Sequence, residues 1–117
     1  YPKERQTVFA KTPSWPSNSR VYLKYKSNNS MEVTFNTAED DFLVYSYLLE
    51  FYDGKSNVPY DILETLSQFY LYPQREDMPN TKTVDIQGID KLPNYIKVIA
   101  KNQWGLVSDS IQSPVYS

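Results

Sequence analysis

The stretch Tyr95-Ile96-Lys97-Val98-Ile99-Ala100-Lys101-Asn102-Gln103-Trp104-Gly105-Leu106 decides the fold. Ile96, Val98 and Ala100 alternate with Lys97, Ile99 and Lys101, the period of two that puts one set of side chains in a core. Asn102 to Gly105 is a polar turn carrying a glycine. A second strand-like run begins at Leu106 and reaches Tyr116, with the terminal strand from Ser108 onward, bent or ended near Pro114. Strand, tight turn and strand at the end of a small domain predict a β-sandwich that closes on itself. The run holds no His, Cys or Glu.

Similar alternation recurs upstream. Val21, Leu23 and Tyr25 share one face of a run from Val21 to Ser27. Asn28-Asn29-Ser30 follows as a turn, because Asn tolerates left-handed backbone, and Met31, Val33 and Phe35 then alternate up to Asn36. Val44–Tyr52 is a further strand, with Tyr45, Tyr47, Leu49 and Phe51 on one face and Ser46, Leu48, Glu50 and Tyr52 on the other, ended by the turn Asp53-Gly54. Val84 and Ile86 point inward from a strand over Thr81–Ile89. Between these last two lies Asn57–Pro73. Asp61 and Glu64 have capping-box spacing, so this stretch predicts a loop with one helical turn from Ile62 to about Leu66, then a short edge strand at Phe69-Tyr70-Leu71-Tyr72. About seven short strands and no long helix predict an all-β, immunoglobulin-like antiparallel sandwich.

Residues 1–19 contain Pro2, Pro13 and Pro16 among several serines and predict an extended, poorly packed lead-in or interdomain linker before a sandwich over 20–117. Thr7-Val8-Phe9 permits a short strand there. The chain begins at Tyr1 rather than Met, as expected of a processed or excised piece, so no signal peptide can be read from it. No apolar run approaches the roughly 20 residues of a membrane helix.

At 117 residues the chain can bury one core without staples. A net charge of −2 gives no electrostatic reason to expect nucleic acid or an anionic membrane. The sequence has no Cys, which excludes disulfides and thiolate metal sites. It has no His either, which removes the commonest general base, a frequent zinc ligand and the usual partner of a nucleophilic serine. Three glycines cannot form a phosphate-cradling loop.

The carboxylates admit two chemical readings. Glu39-Asp40-Asp41 offers hard oxygen ligands, but it lacks the alternate spacing and central glycine of a calcium loop and reads as a solvated loop. Glu50 with Asp53, or Asp61 with Glu64, could be posed as a glycosidase pair, although one small sandwich leaves little room for a cleft. No cofactor, metal or catalytic residue is expected. The 11 tyrosines and Trp104 are the ambiguous feature. Trp104 sits in a turn, and Tyr22, Tyr45, Tyr52, Tyr70 and Tyr72 are candidates for outer faces. We take Trp104, Tyr52, Tyr70 and Tyr72 as candidates to stack on a glycan or anchor a protein. The alternative is that such tyrosines merely cover the sheet and pair across strands.

Four segments together resemble a fibronectin type III domain: Met31-x-Val33-x-Phe35, Tyr47-x-Leu49-x-Phe51, Val84-x-Ile86-x-Gly88-Ile89 and Ile96-x-Val98-x-Ala100-x-Asn102-x-x-Gly105. The likeness spans about Ser19 to Tyr116. That family usually carries a Tyr two residues before the position of Ile96. Here that position is Asn94 and the Tyr is Tyr95, which puts the hydrogen-bonded tyrosine corner in doubt. A narrower likeness joins Pro13-Ser14-Trp15-Pro16-x-x-Ser19, Ala38-Glu39-Asp40-Asp41, Ser67-Gln68-Phe69-Tyr70-Leu71 before Met78-Pro79, and Asn102-x-x-Gly105. It is similar to the C-terminal β-sandwich of some secreted bacterial calcineurin-like metallophosphoesterases. The resemblance implies an extracytoplasmic accessory domain whose partner is an upstream catalytic domain of the same polypeptide. That family's metal ligands belong to the catalytic domain, so none carries over to this chain.

Overall fold

The computed structural model describes residues 11–39, 44–67 and 81–115. The expectations for Thr7–Phe9, Asp40–Asp41, the edge strand at Phe69–Tyr72 and Tyr116 lie outside the described residues. Seven strands are described: β1 (Val21–Ser27), β2 (Ser30–Asn36), β3 (Val44–Tyr52), β4 (Asp61–Leu66), β5 (Thr81–Gln87), β6 (Tyr95–Asn102) and β7 (Ile111–Gln112). They form two antiparallel sheets, ordered β1-β2-β5 and β4-β3-β6-β7. The described residues contain no helix. The protein is an all-β antiparallel sandwich, with β4 on the sheet of β3.

Alternation builds the core. Val21, Leu23, Met31, Val33, Phe35 and Ile86 from the first sheet meet Tyr47, Leu49, Phe51, Ile96, Val98 and Ala100 from the second. Register aligns these positions across strands: Val33 pairs with Val84, Leu49 with Val98 and Phe51 with Ile96. Since side chains alternate faces, a slip of one residue would turn the whole inward set to solvent, so burial itself fixes the register. Strand β5, at the edge of its sheet among the described residues, carries Lys82 on the inward parity of Val84 and Ile86, opposite Phe35. Partial burial lowers the Lys82 pKa. An inward-pointing charge of this kind discourages edge-to-edge association.

Several local expectations are corrected. The segment Ile62–Leu66 is not a helical turn: it belongs to β4, paired antiparallel with β3 from Ser46↔Leu66 to Phe51↔Asp61. So short a helix would bear the full nucleation cost, whereas β3 offers a ready ladder. Asp61 accepts the N–H of Ile62 rather than capping a turn. The β1–β2 turn forms at Asn28-Asn29, but neither asparagine has positive φ; the hairpin closes with a register shift between Tyr25 and Ser27. The described non-glycine residue with left-handed backbone is Asn18, at φ 65°, in a turn where Ser19 bonds back to the Pro16 carbonyl.

The terminal strand is also shorter than the run from Ser108 to Tyr116 predicts. Ile111 and Gln112 pair with Val98 and Lys97, and Val107 makes an isolated bridge to Lys101. On either side of the Ile111–Gln112 pairing, Ser108 and Ser113 donate their backbone N–H groups to Ala100 and Ile96, and their hydroxyls supply the return acceptors. Ser108 Oγ accepts the N–H of Ala100 at 2.9 Å, and Ser113 Oγ accepts that of Ile96 at 3.0 Å. Buried donors on β6 are thus satisfied without a continuous ladder.

The described part of the lead-in is docked rather than loose. Ser14 and Glu39 exchange backbone hydrogen bonds of 2.9 and 2.7 Å, and Pro13 is buried. Trp15 stacks on Tyr47 with ring centroids 6.0 Å apart, and Tyr47 meets Phe35 edge-on at 4.8 Å. The Tyr47 hydroxyl accepts the N–H of Ala38 at 3.0 Å. This aromatic cluster plugs the end of the core at which β6 finishes.

Candidate partner-binding surface

The outward face of the four-stranded sheet carries Ser46, Leu48, Glu50 and Tyr52 from β3, opposite Lys101, Ile99, Lys97 and Tyr95 from β6. Tyr45 joins that face. The β3–β6 register shifts between Val44 and Ser46, and the Lys101 ammonium lies 5.8 Å from the Tyr45 ring centroid. A bulge therefore takes Tyr45 off the Tyr47 face on which strict alternation places it. Lys101 also pairs with Glu64 at 2.9 Å, and the Ser46 hydroxyl donates to the same carboxylate. The Ser46 bond, followed by Lys101, holds the Glu64 carboxyl below its ordinary pKa.

Tyr52 lies at the other end of this face and is only 4% exposed. Tyr95 stacks on it at 4.8 Å with a 3° interplanar angle, and the Lys97 ammonium sits 5.0 Å from its centroid. Its hydroxyl donates to Glu50 Oε1 at 3.0 Å. Burial, then the Glu50 bond and charge, push its pKa up to about 12. Tyr52 is thus engaged within the chain and almost wholly buried, which leaves it no open stacking face. The stack also accounts for Tyr95: it faces outward on Tyr52 and forms no tyrosine corner. Two other tyrosines hold the β5–β6 connection. Tyr25 donates to the Pro93 carbonyl at 2.7 Å, and Tyr60 donates to that of Lys91 at 2.6 Å.

Trp104 is 57% exposed at the tip of the β6–β7 turn. Its geometry is set by Asn102, which is 1% exposed. Asn102 Oδ1 accepts the N–H groups of Trp104 at 2.9 Å and Leu106 at 3.1 Å. Its Nδ2 donates to the Lys11 carbonyl at 2.8 Å. Gly105 supplies the positive φ of 86° that the turn requires. One buried amide therefore fixes both the exposed indole and the point where the lead-in meets the sandwich. Two open clefts flank this end. One, of about 370 Å³, is lined by Tyr45, Lys101, Asn102, Gln103 and Gly105. The other, of about 470 Å³, is lined by Thr12, Pro13, Ser14, Trp15, Val107 and Asp109.

No protein-family model matches the chain, and no curated protein matches it.

Of the four candidate residues, Trp104 and Tyr52 are therefore not brought together. They sit at opposite ends of β6, a separation of roughly 25 Å at strand rise. Tyr70 and Tyr72 lie outside the described residues. Tyr45 lies at the same end of the sheet as the turn, in the cleft that Gln103 and Gly105 also line. Asn102 is the organising residue that sequence reasoning passed over as a turn former; its signal was the Asn102-x-x-Gly105 spacing.

The carboxylate pairs are pulled apart or occupied. Asp61 and Glu64, three apart in a strand, fall on opposite faces. Glu50 takes the Tyr52 hydroxyl, while Asp53 accepts the Lys55 N–H at 2.8 Å and pairs with Lys91 at 3.4 Å. Among the described residues no three acidic side chains cluster to hold a metal. No helix among them is long and apolar enough to cross a membrane.

Proposed function

We propose that this chain is a non-catalytic accessory domain of a larger extracytoplasmic bacterial protein, which docks on or spaces an upstream catalytic domain. The observation that carries this reading is the lead-in. From Lys11 onward it is held to the sandwich by Ser14, Trp15 and the Asn102–Lys11 bond, so this part of the lead-in is built into the fold rather than set apart from it. A sequence without His or Cys fits the same reading. The sequence likeness over Pro13–Ser19 and Asn102–Gly105 makes a calcineurin-like metallophosphoesterase the parent we favour. The test is the coding sequence upstream of Tyr1 together with phosphodiesterase assays of the longer polypeptide. An upstream domain with metal-dependent activity, absent from residues 1–117 alone, supports the reading. A gene encoding only this sandwich after a signal peptide overturns it.

A second reading is a glycan- or protein-binding module, favoured by the exposed Trp104 beside the Tyr45 cleft. Indole fluorescence titrated with a broad glycan panel tests it. A shift abolished in Trp104→Ala supports glycan binding, and no shift across the panel overturns it.

A further inference from the structure

We propose that the outer face of the three-stranded sheet is a binding site for a sugar that carries a carboxylate, with Tyr22 as its stacking platform and Arg20 as its charge partner. The site stands apart from both readings above, since it needs neither an upstream domain nor Trp104. Three observations carry it.

The first is the layout of that face. Val21 and Leu23 point into the core, so Tyr22 points out. Arg20, one step before β1, lines both clefts that Tyr22 lines. Tyr22 pairs with Thr34 and Thr34 with Thr83, so a ring and two hydroxyls lie in one row across the sheet. Arg20 exchanges hydrogen bonds with Asn36, which pairs with Thr81, and these form the next row. A flat aromatic beside hydroxyl and amide groups suits a sugar, whose C–H face stacks while its hydroxyls hydrogen-bond.

The second is that these groups are open and already oriented. Tyr22 is 56% exposed and has no hydrogen bond or ring contact among the described residues. Exposed Tyr25 and Tyr60, by contrast, give their hydroxyls to carbonyls of the β5–β6 connection. Asn36 Oδ1 accepts the Arg20 N–H at 2.9 Å, which fixes the amide and leaves its Nδ2 to donate elsewhere. The Thr34 and Thr83 hydroxyls share one bond of 3.0 Å and keep one hydrogen and spare lone pairs between them. One cleft, of about 250 Å³, lies over Thr34, Asn36 and Thr81; another, of about 320 Å³, reaches Gln112 and Pro114. A ligand lying on Tyr22 therefore has a recess on either side of it.

The third is charge. Farther along the face, Lys24 lies opposite Glu32 in register, and Lys26 pairs with Glu32 at 3.4 Å and Asp85 at 3.1 Å. Positive charge at that end is offset by carboxylates, whereas Arg20 makes no ion pair among the described residues. A carboxylate on the ligand is thus drawn to the Arg20 end, where the guanidinium fork fits it, and repelled from Glu32 and Asp85.

The experiment titrates residues 1–117 with trigalacturonate, a hyaluronan tetrasaccharide and sialyllactose, and with the neutral methyl ester of each, while backbone amide shifts are followed. At least one acid is expected to give saturable shifts over Arg20–Tyr22, Thr34–Asn36 and Thr81–Thr83. Tyr22→Ala should weaken that binding by about tenfold or more, and Tyr22→Phe should retain it. Arg20→Gln should weaken the acid by about tenfold and leave the ester unchanged, and it supplies the test independently of how well Tyr22→Ala folds. Trp104→Ala should change nothing, which separates this site from the second reading. The absence of saturable shifts with all three acids in the millimolar range overturns the site. Equal affinity of Arg20→Gln and the parent chain for the acid overturns the role of Arg20. A hexaglutamate peptide that binds the same residues as tightly as the best saccharide overturns the sugar, since charge alone would then suffice.

Discussion

The indole Nε1 of Trp15 donates to the Asp109 carbonyl at 2.7 Å, joining positions 94 apart in sequence. The same ring stacks on buried Tyr47, so one side chain fastens the lead-in both to the core and to the β6–β7 connection. Trp15→Ala is expected to cost about 2–4 kcal/mol, since it removes a large packed ring and a directed bond. Trp15→Phe keeps the stacking and is expected to cost less, with about 1 kcal/mol from the lost bond. Urea unfolding reads both. A shared midpoint for Trp15→Ala and the parent chain would mean that the lead-in adds nothing to stability.

Gly54 and Gly105 both have positive φ, at 82° and 86°, yet their surroundings differ. A Cβ at Gly54 would overlap the side-chain amide of Asn94, while one at Gly105 would meet open space. Gly105→Ala is therefore expected to cost about 1–2 kcal/mol from backbone strain alone. Gly54→Ala should exceed it by about 1 kcal/mol or more, because a strained backbone and an overlap coincide. Asn94→Ala should relieve the overlap part of the Gly54→Ala penalty. A double-mutant cycle on urea midpoints checks this, and strict additivity would rule the overlap out.

Alternation made the central strands legible, because one buried face leaves a period of two in β2, β3 and β6. What escaped was set by contacts that a local pattern does not encode. The Asp61/Glu64 spacing suits a helix start as well as it suits two faces of a strand, and only pairing with β3 decides between them. Tyr45 changes face through a bulge, and strict alternation carries no sign of that. Trp15 sits among prolines and serines that read as linker, while its partners Tyr47 and Asp109 are remote in sequence. For the candidate surface, Trp104 was visible as an aromatic in a turn. The burial of Tyr52 was not, because it depends on Tyr95 and Lys97 arriving from another strand.

Tyr25 and Tyr60 place their hydroxyls on two carbonyls of the β5–β6 connection, a job the corner position Asn94 cannot do with a phenol. Tyr25→Phe and Tyr60→Phe are each expected to cost about 1 kcal/mol and to speed amide exchange around Asp90–Asn94. Tyr95→Phe should leave that exchange unchanged, since its ring lies on Tyr52. Faster exchange at Asp90–Asn94 in Tyr95→Phe alone would return the corner role to Tyr95.

Tyr47 gives the fold an alkaline limit. Burial pushes its pKa up to about 12 from 10.0, while the hydrogen bond it accepts from Ala38 works the other way. The native state thus retains the phenolic proton at pH values where the unfolded chain has released it. The resulting stability is fully present below about pH 10 and is lost as pH rises through 10 towards 12. Two pKa units correspond to about 2–3 kcal/mol. Urea midpoints are expected to hold near neutral pH and to fall between pH 10 and 12. Other buried tyrosines contribute to the same fall, so the comparison that isolates Tyr47 is the variant. Tyr47→Phe should be less stable than the parent at neutral pH, having lost the acceptor for Ala38 N–H, yet should lose less of its remaining stability across that alkaline window. Parallel midpoint curves for the two proteins would show that Tyr47 titrates alike in the folded and unfolded chains.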